Sequence, residues 1–272
     1  MSFLRQYMRM WRLNSPEIIA QTPTSHIYKI QYEGQTVALK ILTPRGVVDE
    51  HAGMIALGYF SGRGAVQLLR HDSTGYLMEY LDGRDLLSTV KQGNDEEATY
   101  IITDVLNKLH SVDLRYQAHG LIPLRVWFRS LFVRAKQYTD SIYAQAAHLA
   151  NMLLDHPQDE SVLHGDIHHE NIRYHSTRGW LAFDPKGLFG ERTFDVANTL
   201  CNPIKMPELV QDKERLFRNA RILSENLDID MNRIFTFTFI YACLSASWSL
   251  EDNDDPSLAL SVANIVKEFI ST

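Results

Sequence analysis

The sequence predicts an α+β fold in two lobes, a small β-rich N-lobe followed by a larger helical C-lobe. Three observations carry that prediction. Between residues 17 and 81, short apolar or alternating segments are separated by glycine and polar turns, the signature of strands. From Arg84 onward, apolar positions recur three and four apart over long segments, the signature of core helices. Between those helices sit two more strand-like pieces, Val162-Leu163 and Gly179-Trp-Leu-Ala-Phe183, with a polar loop and a turn between them. Asp82-Gly83 breaks the chain between the two regimes, so the N-lobe is placed at residues 1–81 and the C-lobe at 82–272.

The elements follow in order. Residues 1–15 read as a short helix or arm. Ile18-Ile-Ala20 is apolar, Ile27–Tyr32 alternates, and Val37–Leu42 is apolar with one charge inside it, Lys40. Glu33-Gly34-Gln35 supplies the turn between the second and third strands. A lysine within an apolar strand is costly unless it meets an anion; the alternative is an edge-strand lysine whose head reaches water. Val47–Phe60 reads as one helix with Asp49-Glu50 in its first half. Ala65–Arg70 and Tyr76–Leu81 form the next hairpin. Asp85–Lys91 is a short helix, and Asp95–Leu109 a core helix with Glu96-Glu97 in its first turn. Leu121–Tyr138 is amphipathic, with Arg125, Arg129, Arg134 and Lys136 on a solvated side. Asp140–Leu154, Pro207–Leu227, Met231–Ser249 and Ser257–Phe269 complete the helices. The acidic run Glu251-Asp-Asn-Asp-Asp255 reads as a solvated loop or as an attractor for a cationic ligand.

Composition narrows the partners. The chain has 272 residues, 45% of them hydrophobic, and a formal net charge of −6, enough apolar material for a large core. Mild acidity disfavours nucleic acid and suits a small cationic ligand. No apolar run approaches the length of a bilayer span. Arg5, Arg9 and Arg12 are not followed by the apolar stretch of a secretory signal. Cys201 and Cys243 do not make a disulfide framework and read as buried thiols in a reducing compartment. These features predict a cytoplasmic monomer that binds neither nucleic acid nor membrane.

The chemistry concentrates in Ser161-Val-Leu-His-Gly-Asp-Ile-His-His-Glu-Asn-Ile172 and in the strand ending at Asp184. If the strands flanking Arg178-Gly179 pair as a hairpin, Asn171 and Asp184 become neighbours and Asp166 lies a loop away. An amide oxygen and a carboxylate are hard ligands suited to Mg²⁺. A nearby carboxylate can orient a hydroxyl and take its proton. The three nearby histidines, His164, His168 and His169, do not make a zinc motif: His169-Glu170 begins His-Glu-x-x-His, but position 173 is Arg.

The pattern His-Gly-Asp-x4-Asn followed by a strand ending in Asp resembles the aminoglycoside phosphotransferase superfamily, relatives of the protein kinases. The wording His-Gly-Asp-x-His-His-Glu-Asn-Ile with Arg-Gly-Trp-Leu-x-x-Asp-Pro is most similar to its streptomycin 6-phosphotransferase and hydroxyurea-resistance branch. The resemblance implies a bilobal protein-kinase-like fold with ATP and Mg²⁺ in the cleft, and a cationic, aminoglycoside-like acceptor. It implies that Asp166 is the base, with His168 beside the γ-phosphate or acceptor, and that Asn171 and Asp184 hold the metal. It further implies that Lys40 reaches the phosphates, supported by Glu50 or, alternatively, Asp49. Met78 becomes the gatekeeper, with the backbone of Glu79 and Leu81 on the adenine edge. Asp195 becomes a structural acid that accepts N–H groups of the catalytic loop, and Glu191 a candidate for the acceptor pocket. Lys186 is either a phosphate neutraliser or a surface lysine. The chain departs from protein kinases in the first turn: Gln21-Thr-Pro-Thr-Ser-His26 has no glycine, which leaves the phosphate lid to hydroxyls such as Thr24 and Ser25. No Ala-Pro-Glu segment or long activation loop follows Asp184, which disfavours a protein acceptor.

Overall fold

A computed structural model describes residues 3–112 and 119–270. Helix α1 (Phe3–Met10) precedes β1 (Asn14–Gln21), β2 (Ser25–Tyr32) and β3 (Gln35–Leu42); residues 1–2 of the predicted N-terminal helix lie outside the described residues. Helices α2 (Pro44–Asp49) and α3 (His51–Phe60) lead to β4 (Leu68–His71) and β5 (Gly75–Glu79). The five strands form one antiparallel sheet in the order β1-β2-β3-β5-β4. The central strand β3 shows why its apolar run is continuous: both faces are covered. Val37, Leu39 and Ile41 pack with Tyr7, Trp11 and Leu13, while Ala38 and Leu42 join Met54, Leu57 and Phe60 of α3 in the main core. Lys40 falls on the α3 face by alternation.

The single helix expected over Val47–Phe60 is two. Thr43 caps the first by accepting from the Gly46 N–H, with Pro44 at its opening position, and the helix direction breaks at Glu50 (φ −118°, ψ −2°). Glu50 therefore stands at the entrance of α3 rather than on a helix flank.

The helical part comprises α4 (Leu87–Lys91), α5 (Asp95–Leu109), β6 (Ile122–Pro123), α6 (Leu124–Trp127), α7 (Arg129–Gln137) and α8 (Ile142–Asp155). Strands β7 (Glu160–Leu163), β8 (Ile172–His175), β9 (Gly179–Ala182) and β10 (Leu188–Glu191) follow. The chain closes with α9 (Thr193–Leu200), α10 (Pro207–Val210), α11 (Lys213–Leu227), α12 (Met231–Glu251) and α13 (Ser257–Lys267). The amphipathic segment 121–138 is interrupted, because Ile122-Pro123 pairs in parallel with Leu188-Phe189 and helix begins only after the proline. Of its basic side, Arg125 is committed to Asn151 (3.0 Å) and Asp155 (2.5 Å). The segment 207–227 also splits, at Asp212, whose carboxylate caps α11 through the N–H groups of Glu214 and Arg215.

Helix α12 forms the middle of the C-lobe core. By length and composition it could cross a bilayer, contrary to the sequence expectation, but 72% of its most apolar window is buried inside the protein. Its neighbours are α8, α9 and α13. Both cysteines are buried and free. A buried ion pair fastens α11 to α5: the Arg215 guanidinium, 2% exposed, donates to both Asp95 oxygens and to the Asn202 carbonyl.

Candidate active site

The loop between β7 and β8 is held from below by one carboxylate. Fully buried Asp195, in α9, accepts the Gly165 N–H at 2.8 Å on one oxygen and the His164 N–H at 2.9 Å on the other, which also meets His110 Nε2 at 3.0 Å. His164 continues the scaffold. Its Nδ1 accepts the Asp166 N–H, so its Nε2 carries the proton and donates to the Phe183 carbonyl at 3.0 Å. Burial pushes the His164 pKa below its usual value, which suits this neutral tautomer. The neighbouring His169 is also buried, and desolvation drives its pKa down to about 3.

Strands β8 and β9 do pair antiparallel, with Ile172 opposite Ala182. The Phe183 N–H then donates to the Asn171 carbonyl at 3.0 Å, which sets Asn171 beside Asp184. Asn171 Nδ2 is spent on the Asp166 carbonyl at 2.8 Å, leaving Oδ1 as the side-chain oxygen for a ligand. Asp184 turns the chain out of β9 at φ 61°, an uncommon conformation for a residue other than glycine. Its carboxylate bonds Lys40 Nζ.

Lys40 is 2% exposed and lies 2.5 Å from Glu50. It is therefore not a lysine reaching for water. Burial alone lowers an ammonium pKa, but Tyr76, Asp184 and Glu50 around it raise it above the ordinary value. Asp184 shows the converse. Burial raises its carboxyl, and Lys40 outweighs burial, so its pKa is below normal. Asp49 points elsewhere, pairing with Arg45 on the surface.

The remaining predicted residues are distributed around this centre. The Asp166 carboxylate lies 3.5 Å from Lys186 Nζ and 3.7 Å from His168 Nε2. Burial keeps the His168 pKa below its usual value against the pull of Asp166 and Glu170. Met78 is buried in β5 opposite Ala38; Glu79 ends that strand, and Leu81 is buried just beyond it. The hydroxyls of Thr22, Thr24 and Ser25 cluster in the β1–β2 turn, within 3.2 Å of one another through Thr22 Oγ1. Glu191 does not line the cavity beside Asp166 and His168. It is buried among Arg233 Nε at 2.5 Å, the Thr193 hydroxyl and the Gln158 N–H.

Among the described residues no group of three His, Cys, Asp or Glu side chains gathers as a metal cage. A metal held here would take Asn171 Oδ1, Asp184 and oxygens from outside the chain. That donor set suits Mg²⁺, which keeps few protein ligands.

A model of the aminoglycoside/hydroxyurea antibiotic resistance kinases matches residues 10–253. The chain belongs to this family. It is 34% identical over 249 residues to a streptomycin 3''-kinase of Klebsiella pneumoniae, covering 90% of this chain and 91% of the relative. It is 30% identical over 234 residues to a streptomycin 6-kinase of Streptomyces griseus, covering 82% and 74%. The fold matches that of the aminoglycoside phosphotransferase APH(4)-Ia, solved with ADP and hygromycin B, at a TM-score of 0.66, 11% identity and full coverage of both chains. The resemblance stated from the sequence is thus correct at the level of family and of bilobal kinase-like fold.

Two further features surround this centre. A cavity of about 270 Å³ opens beside Asp166 and His168, walled by Asn202, Tyr241, Ser245 and Asp255 among others. Asp255 belongs to the acidic run, so one member of that run faces the cavity. Its carboxylate also bonds the Ser257 N–H and hydroxyl at the start of α13. Second, Arg178 is more than a turn residue: its guanidinium bonds the Glu79 carboxylate and the Gly62 carbonyl, bracing the β8–β9 hairpin against the end of β5.

Proposed function

We propose that this kinase transfers the γ-phosphate of ATP to a hydroxyl of streptomycin or a closely similar aminoglycoside. One observation carries the reading: Asp166 stands between the two halves of the site. On one side are Lys40, Asn171 and Asp184; on the other is the cavity with Asp255. A cationic acceptor entering that cavity meets the Asp255 carboxylate, the natural partner for guanidinium groups. Its hydroxyl then reaches Asp166, which orients it and takes its proton. Neutral His168 borders the same hydroxyl. Lys40, held by Glu50, grips the phosphates, and Lys186 offsets charge near Asp166. The adenine lies at the junction of lobes 1–81 and 82–272, against Met78 and the backbone of Glu79 and Leu81. Mg²⁺ held by Asn171 and Asp184 would neutralise phosphate charge. The buried free thiols and acidic surface fit a cytoplasmic monomer.

The test is a panel of aminoglycosides and small polyols with Mg·ATP, following ADP release and locating the phosphate by NMR. The relatives named above are called 3''- and 6-kinases, so the product also decides which hydroxyl is modified. Turnover with streptomycin is expected. Turnover only with simple polyols or amino alcohols, and with no aminoglycoside, refutes the acceptor assignment.

A further inference from the structure

Where α3 meets the loop after Asp184, backbone lies against backbone. A Cβ built on Gly53 would stand 1.9 Å from the Pro185 carbonyl oxygen, and one on Gly187 would stand 2.0 Å from the Ala52 carbonyl oxygen. The contact is reciprocal, with a glycine on each side. Gly187 adds a φ of +73°. Glycine inside a helix costs about 1 kcal/mol relative to alanine, and the ten-residue α3 carries two, Gly53 and Gly58. Gly58 has nothing within 4 Å of its would-be Cβ. Only Gly53 is required by packing.

The position of the contact matters. Glu50 lies three residues before Gly53, on the same side of the helix entrance. Asp184 lies three residues before Gly187. The two glycines therefore fix the separation of the two carboxylates that enclose Lys40. We propose that Gly53 and Gly187 are positioning residues that lock α3 to the metal-side loop, so that the Lys40–Glu50–Asp184 group is assembled before nucleotide binds. This rests on the assignment of that group to the nucleotide made above. The obstructing atoms are backbone, so no rotamer change relieves a Cβ at either place. To reach an ordinary contact of 3.4 Å, α3 would retreat by about 1.5 Å and carry Glu50 with it. A misplacement of about 1 Å can cost roughly a hundredfold in rate.

The experiment compares Gly53→Ala with Gly58→Ala on the same helix. Thermal melting, calorimetry with Mg·AMP-PNP, kcat, and KM for ATP and acceptor are measured for each. Gly53→Ala is expected to weaken nucleotide binding about tenfold and lower kcat by ten- to a hundredfold, with acceptor KM within about twofold. Gly58→Ala is expected to stay within about twofold of the parent in nucleotide affinity, kcat and both KM values, with a melting temperature at or slightly above the parent's. A folded Gly53→Ala protein with parental nucleotide affinity and kcat overturns the proposal, as does a loss shared equally by acceptor KM. Should Gly53→Ala not fold, hydrogen exchange on the parent decides. Amides of residues 51–57 and 186–188 are expected to be equally protected with and without Mg·AMP-PNP, and a large nucleotide-induced gain there overturns the lock. Calorimetry and exchange need no acceptor, so a wrong acceptor would leave both readouts intact.

Discussion

Replacing Lys40 by methionine tests the centre of the site. Methionine keeps most of the volume and removes the charge. Glu50, whose side chain is 16% exposed, then loses its ammonium partner 2.5 Å away. Breaking a buried pair from one side costs about 3–5 kcal/mol. Asp184 can recover water through a side chain that is 40% exposed, so its share is discounted for screening and the expected loss is about 2–3 kcal/mol. For a chain of this size that lowers Tm by roughly 5–10 °C.

The sign of the pH dependence follows from Asp184. Its carboxyl, raised by burial and lowered more by Lys40, titrates in the folded protein below the ordinary carboxylate range. A depressed folded pKa stabilises above the unfolded value, and that stability is lost as pH falls through the folded pKa. The Tm gap between parent and Lys40→Met should be full at neutral pH and should close as the pH falls toward the depressed folded pKa of Asp184. Adding Glu50→Gln to Lys40→Met should recover part of the loss, because the uncompensated charge goes with it. Differential scanning calorimetry between pH 3 and 7 reads both effects. An unchanged Tm at neutral pH, or a gap that widens on acidification, refutes the reasoning.

Two further outcomes separate chemistry from binding. Asp166→Asn should leave Tm and Mg·AMP-PNP affinity near parental values, because the loop is held through the Asp166 backbone carbonyl and the Asp195 cradle. Turnover should fall by roughly 10²–10⁴, and a kinetic assay finding full turnover removes Asp166 as the base. Asp255→Asn keeps an acceptor oxygen for the Ser257 N–H and hydroxyl and removes one negative charge from the cavity. Streptomycin KM should rise several-fold with ATP KM unchanged; equal streptomycin KM values in parent and variant would dismiss Asp255 as a cation partner.

What the sequence disclosed was what neighbouring residues encode. Strands β2, β3 and β5 and helices α5, α8 and α13 announce themselves through their apolar pattern because each is buried on at least one side along its own length. Strands β6 and β10 have two and four residues and pair with each other across 66 positions, so no local pattern marks them. The break at Glu50 did have a local sign, Thr43-Pro44, which fixes an earlier helix start than the apolar spacing suggests. Glu191 illustrates the opposite error. Near the catalytic stretch in sequence, it is drawn away by Arg233, forty-two residues later.

The site divides along the same line. Lys40 was legible because a charge in an apolar strand demands a partner, whatever the distance to Asp184. Asp166 and Asn171 were legible because one short loop carries both. That loop is fixed many times over, by Asp195, by His164 and by the Asn171 amide, and none of those bonds reaches the wall of the neighbouring cavity in α12 and α13. Side chains such as Ser245 and Asp255 can therefore change without loosening the transfer chemistry. Relatives named as 3''- and 6-kinases of streptomycin would need this separation. It is also why acceptor choice leaves so faint a trace in any one stretch of the chain: selectivity is spread over helices whose local patterns report only their burial.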